Sequence, residues 1–194
     1  MLGKKDKLSL GDHVSNGNKK IGNDTLIFNF TPAMNCPSKP KGFCQVPGNK
    51  CYALKAEKAW RGPLPYRRRQ AELWKKTTAW DFANQLKGIL KRKRKTVKYF
   101  RFSEAGDFTC QADVEKLKEI AKMVPELTFY GYTARRDLAY QNLPDNLIVN
   151  GSGFMVDNEF VASENPAGNL CPGNCRVCNK CKVKGKQTIH VQIH

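Results

Sequence analysis

The chain has 194 residues, 40% hydrophobic and 26% charged, which is long enough to bury one substantial core and too apolar for a disordered segment. No run approaches the roughly 20 apolar residues of a membrane helix, the first residues lack the apolar stretch of a secretory signal, and eight cysteines are too few to staple a chain this long. A cytoplasmic protein with no membrane partner is therefore expected, and its formal net charge of +17 points to nucleic acid, held through phosphate contacts.

Residues 1–24 read as an N-terminal extension, and residues 25–194 as a single α/β metal-binding domain with a Cys-rich C-terminal segment at 169–183. The first β-rich run is 26–30, and it leads into a loop rich in Pro, Gly, Lys and Asn. Basic residues then alternate with Trp60, Tyr66, Trp74 and Trp80, beginning with Arg67, Arg68 and Arg69. Thr78 can cap a helix with Phe82, Leu86, Ile89 and Leu90 on its apolar face. That helix ends in Lys91, Arg92, Lys93, Arg94 and Lys95, as the helix dipole favours. A strand at 97–102 follows, and then a shorter helix marked by Val114, Leu117, Ile120 and Ala121, stopped before Pro125. Further strands are expected at 127–132, 147–150 and 188–193. Strands alternating with helices predict an α/β fold, either a partial (βα) barrel or an open, mainly parallel sheet with Cys-rich loops.

Seven of the cysteines fall into two groups. Cys171, Cys175, Cys178 and Cys181 lie within eleven residues, too close for ordinary disulfide geometry but suited to a shared metal. Consecutive spacings of this kind favour a four-iron, four-sulfur cluster, with zinc as the alternative. Cys36, Cys44 and Cys51 are one thiolate short of a closed site, so a cluster there would keep one iron open to a ligand. The alternative is a structural zinc completed by a distant histidine such as His190 or His194. Cys110 stands alone and reads as a small buried side chain.

Small and polar residues gather after each expected strand, at 29–32, 103–107, 130–136 and 150–153, where α/β folds place their ligands. The basic runs at 67–69 and 91–95 are expected to touch a polyanion, while the intervening aromatics favour the core.

The segments around Asn35 and Cys36, Cys44, Cys51 to Ala53, Arg101 to Phe108, Tyr130 to Arg135 and Cys171 to Cys175 resemble the phage gene product 88 family, nearly throughout from about residue 25 onward. That resemblance implies a phage protein of a bacterial host's cytoplasm. The layout also resembles a shortened radical S-adenosylmethionine (SAM) enzyme, although the intervals between its three cysteines are wider than that superfamily's. This second resemblance implies Cys36, Cys44 and Cys51 as cluster ligands, Ser103, Glu104 and Asp107 as contacts to the SAM amine, and Arg135 as a contact to its carboxylate. The expected function is an iron–sulfur protein with one or two clusters, a radical-SAM-like enzyme acting on nucleic acid or a nucleotide. The alternative is a non-catalytic, basic nucleic-acid-binding phage protein whose zinc or iron–sulfur sites only hold loops together. No feature singles out a protein partner.

Overall fold

The computed structural model describes residues 9–93 and 96–193. Among them, seven strands form one sheet in sequential order: β1 (Ser15–Asn16), β2 (Thr25–Phe28), β3 (Tyr99–Phe102), β4 (Thr128–Thr133), β5 (Leu147–Ser152), β6 (Asn158–Ser163) and β7 (Thr188–Gln192). Only β1 runs antiparallel to its neighbour. The sheet is open, with β1 and β7 at its two edges, so the open alternative holds and the barrel does not close.

Alternation along the strands decides what each face meets, since successive side chains point to opposite sides. Phe28, Phe100, Phe102, Phe129, Leu147 and Val149 turn toward one face and share a core with Trp74 of α3 (Pro63–Lys76), Phe82 and Leu86 of α4 (Ala79–Lys93), and Leu117 and Ile120 of α5 (Gln111–Met123). Tyr130, Ile148, Phe160 and Ile189 turn the other way, where Cys181 and Cys171 of the C-terminal segment pack on them. The sheet therefore has a helical face and a cysteine face.

Local chemistry accounts for the helices. Thr78 accepts the Asp81 N–H at 3.1 Å, and the Asp81 carboxylate takes the Thr78 hydroxyl at 2.7 Å, so the start of α4 satisfies its own unpaired donors. Pro63 occupies the first turn of α3, where its missing N–H costs nothing. Inside the core, Trp74 lies 4.4 Å from Phe30 between ring centres and donates its indole N–H to Asp113 at 2.7 Å.

Several expectations change. The presumed extension joins the fold from Leu10: helix α1 (Leu10–His13) buries Leu10, and β1 pairs with β2. Helices α2 (Tyr52–Ala59) and α3 and strand β6 were not expected, because charges and small residues break up their apolar periodicity. Of the three tryptophans only Trp74 is core, whereas Trp60 and Trp80 are 70% and 66% exposed. Cys110 is exposed at the N-cap of α5 rather than buried. No helix of the described residues is long and apolar enough to cross a membrane.

Candidate functional site

A cavity of about 200 Å³ opens at the C-terminal ends of β2 to β5. Cys36, Cys44 and Cys51 line it, facing Ser103, Glu104 and Asp107 from the turn after β3 and Tyr132 from β4. The loop that carries the cysteines is tied down at several points. Glu57 of α2 accepts the Ala33 and Met34 N–H groups at 2.7 and 2.8 Å, which holds the turn before Cys36. The Gln45 amide donates to Ser152 at 3.1 Å and to the Phe160 carbonyl at 3.0 Å, which pins the segment after Cys44 to β5 and β6. The Tyr52 hydroxyl donates to the Glu104 carbonyl, joining the end of the loop to the turn after β3.

That turn is held by Asp107. Its Oδ1 accepts the Phe108 N–H at 2.8 Å and the Thr133 hydroxyl at 2.7 Å, and its Oδ2 accepts the Ser38 hydroxyl at 2.7 Å and the Ala134 N–H at 2.8 Å. Burial raises the Asp107 pKa, and these donors hold back the rise. One carboxylate thus joins the cysteine loop, the turn after β3 and the end of β4, and its acceptor positions are taken up internally. Gly106 makes this closeness possible: at φ +70° its missing Cβ would stand 2.2 Å from the Thr31 carbonyl oxygen.

Arg135 is committed in the same way. It donates to both Asp137 oxygens at 2.7 and 3.0 Å and to the Phe108 and Thr109 carbonyls at 2.6 and 3.0 Å, and it is not part of the cavity wall. Ser103 differs. Its backbone sits at φ +52°, and its buried Oγ has no hydrogen-bond partner among the described residues. Left-handed backbone and unpaired buried hydroxyls cluster at functional positions, which makes Ser103 a candidate here.

All eight cysteines are free, and the three in the cavity are half-buried. Burial, with the Asp107 charge second, pushes the Cys36 thiol up to about 11, and burial also raises Cys44. Such thiols stay protonated when alone and lose their protons to solvent when they bind a cation, which is how a thiolate metal site couples to pH. As the side chains stand, no three His, Cys, Asp or Glu among the described residues converge into a ready metal cage. His190 lies on β7 beside Cys171, whose N–H it accepts at 2.8 Å, and not at the three-cysteine cavity; His194 lies outside the described residues.

Cys171, Cys175, Cys178 and Cys181 surround a second, smaller cavity of about 20 Å³ on the cysteine face, together with Tyr132, Phe160 and Ile189. Tyr132 lines both cavities and is the partition between them. Burial pushes its hydroxyl pKa well upward, and that of the Cys181 thiol beside it upward as well. No local pattern marks Tyr132, which reads in the sequence as one strand aromatic among several.

The basic runs separate. Arg67 is buried, donating to the Glu57 carboxylate at 2.9 Å and the Ala53 carbonyl at 3.1 Å, so it braces α2 against α3 and offers nothing to a phosphate. Arg68, Arg69, Lys91 and Arg92 are exposed. The side chain of Lys93 and all of Arg94 and Lys95 lie outside the described residues.

These features define an α/β protein with an open parallel sheet, a three-cysteine cavity at its strand ends and a four-cysteine segment packed on one face. The chain belongs to the gene product 88 family, whose family model matches residues 4–164. The match includes Cys36, Cys44 and Cys51 and stops before Cys171, so the four-cysteine segment lies outside the matched stretch. No curated protein and no solved structure matches the chain.

Proposed function

We propose that this phage-family protein is a two-centre metalloprotein, with a ligand-binding iron–sulfur centre at Cys36, Cys44 and Cys51 and a closed structural centre at Cys171, Cys175, Cys178 and Cys181. The observation that carries the reading is the meeting of three free thiols around one cavity at the strand ends, with Ser103 in its wall. A four-iron cluster bound there would supply a one-electron donor with one iron open to a small ligand. The protein's own part is to hold that ligand: Ser103 and Glu104 stand in the cavity wall as the candidate contacts for an amine, and Tyr132 closes its inner wall. SAM fits this donor set as the ligand, which makes radical-SAM-like chemistry on a nucleotide or nucleic acid the specific form of the proposal. Asp107 and Arg135 keep the frame in place.

The small second cavity suits a single ion better than a cluster, since about 20 Å³ is room for one water-sized occupant. Anaerobically prepared protein should therefore carry about four irons with matching acid-labile sulfide and about one zinc per chain. SAM should perturb the electron paramagnetic resonance signal of the reduced cluster, and Cys44→Ala should abolish that response. Zinc at both sites without sulfide would refute the iron–sulfur reading. A reducible cluster indifferent to SAM would refute the radical form alone.

A second reading rests on the net charge of +17 and the exposure of Arg68, Arg69, Lys91 and Arg92. It is a non-catalytic nucleic-acid binder whose metal centres only fix loops. Tight, salt-sensitive binding by protein with Cys44→Ala would favour it.

A further inference from the structure

Among the described residues, the cysteine face holds two cations that no carboxylate pairs within 4.0 Å. Arg101 lies between Phe100 and Phe102 on β3, both of which point into the helical core, so its side chain turns to the opposite face. Its guanidinium carbon sits 5.4 Å from the Tyr132 ring centre, and its Nε is cut off from solvent with no hydrogen-bond partner among the described residues. Lys182 is 6% exposed; its Nζ stands 4.0 Å from the Tyr99 ring centre and donates to the Cys175 carbonyl at 3.0 Å. Among the described ion pairs, no carboxylate comes within 4.0 Å of either cation. Glu104 acts on Arg101 only from beyond that range. An arginine cannot shed its proton, and a buried, unbalanced charge is strongly unfavourable. Aromatic faces and one carbonyl oxygen offset only part of that penalty.

The four thiols of this face become a source of negative charge when they bind a cation. Arg101 packs on the ring of Tyr132, which lines the cavity of the four cysteines, and Cys175 contributes the carbonyl that Lys182 holds. A divalent ion bound by four thiolates is a dianion. We propose that Arg101 and Lys182 are the counter-cations of a dianionic tetrathiolate centre at Cys171, Cys175, Cys178 and Cys181, held against β3 and β4. The inference rests on the metal reading above and adds the charge state of that centre and the residues that neutralise it. It assigns work to two positively charged residues away from the Arg67–Arg69 and Lys91–Lys95 runs.

The test is metal affinity of the full chain, read by Co²⁺ titration through the thiolate-to-cobalt absorption and by release of Zn²⁺ to a chelator, with Cys178→Ser assigning the signal to this site. Arg101→Gln and Lys182→Met should each weaken Zn²⁺ and Co²⁺ binding by about 10- to 100-fold, the range for residues that support a metal ligand. Arg101→Lys should bind close to wild type because it keeps the charge. With metal stripped, Arg101→Gln and Lys182→Met should melt no lower than wild type, since each removes a positive charge that no carboxylate pairs, whereas a packing role would lower the melting point with or without metal. If Arg101→Gln does not fold, Lys182→Met carries the same comparison. Zinc held as tightly in both variants as in wild type would overturn the counter-cation role while leaving the metal centre standing. A wild-type chain that takes up no zinc at these thiols would overturn both.

Discussion

Replacing Asp107 with Asn tests whether this carboxylate is the clasp of the site or a contact to its ligand. The two side chains have the same shape, but Asn presents an amide NH₂ where Asp had an oxygen. Thr133 Oγ1 already accepts the Arg135 N–H at 3.0 Å and lies 3.1 Å from the Tyr140 hydroxyl, so it has little freedom to reverse its bond. The NH₂ should therefore turn toward Ser38, whose hydroxyl can rotate to accept it. The Ala134 N–H, now 2.8 Å from Oδ2, then loses its acceptor in a buried place. One orphaned backbone N–H is worth about 1–3 kcal/mol, and losing the charge assistance to the other donors adds to it, for a total of roughly 2–4 kcal/mol. At about 2–4 °C per kcal/mol for a chain of this size, the melting temperature should fall by roughly 4–16 °C. Circular dichroism during heating and in urea measures it. A shift under about 2 °C would refute the clasp, and a normal melting point with lost SAM response would return Asp107 to the ligand.

Gly106→Ala should destabilise the same turn by at least about 2 kcal/mol in urea unfolding, because the left-handed backbone and the 2.2 Å approach to Thr31 must both be relieved; an unaffected midpoint would count against that packing. In metal-free protein, Cys36 should be alkylated slowly at pH 8 and faster as pH rises toward about 11, because the thiolate is the nucleophile and burial disfavours it; peptide mapping against the exposed Cys110 reads this, and equal rates at pH 8 would contradict it. Neutralising Arg68, Arg69, Lys91 and Arg92 together should lower the slope of log affinity for single-stranded nucleic acid against log salt by up to about 3, at roughly 0.7 per phosphate contact. Arg67→Gln should instead lower stability, by stranding Glu57 in the interior, and a salt slope unchanged by the fourfold variant would remove these residues from any phosphate interface.

Much of the fold was legible from local pattern. The strands around Phe100, Tyr130 and Ile148 show in their apolar, β-branched and aromatic runs. The Thr78 cap and the apolar spacing through Ile89 mark α4, and Pro125 marks the end of α5. The two cysteine groups and the strand-end placement of the cavity could also be read, because cysteine spacing and the direction of parallel strands are properties of short stretches. Partnership over long distances could not. Arg67 looks like its exposed neighbours Arg68 and Arg69 until Glu57, ten residues earlier, folds back against it. Asp107 looks like a free acid beside Glu104 until Ser38, Thr133 and Ala134 converge on it. Strand β6 escaped because Asn158, Glu159 and Ser163 dilute its apolar signal, and it is the neighbours on either side that complete its hydrogen bonds. Period and spacing are written in adjacent residues, but whether a charge is solvated or paired depends on which distant groups the sheet brings beside it, and for Arg67 and Asp107 only the tertiary structure decided that.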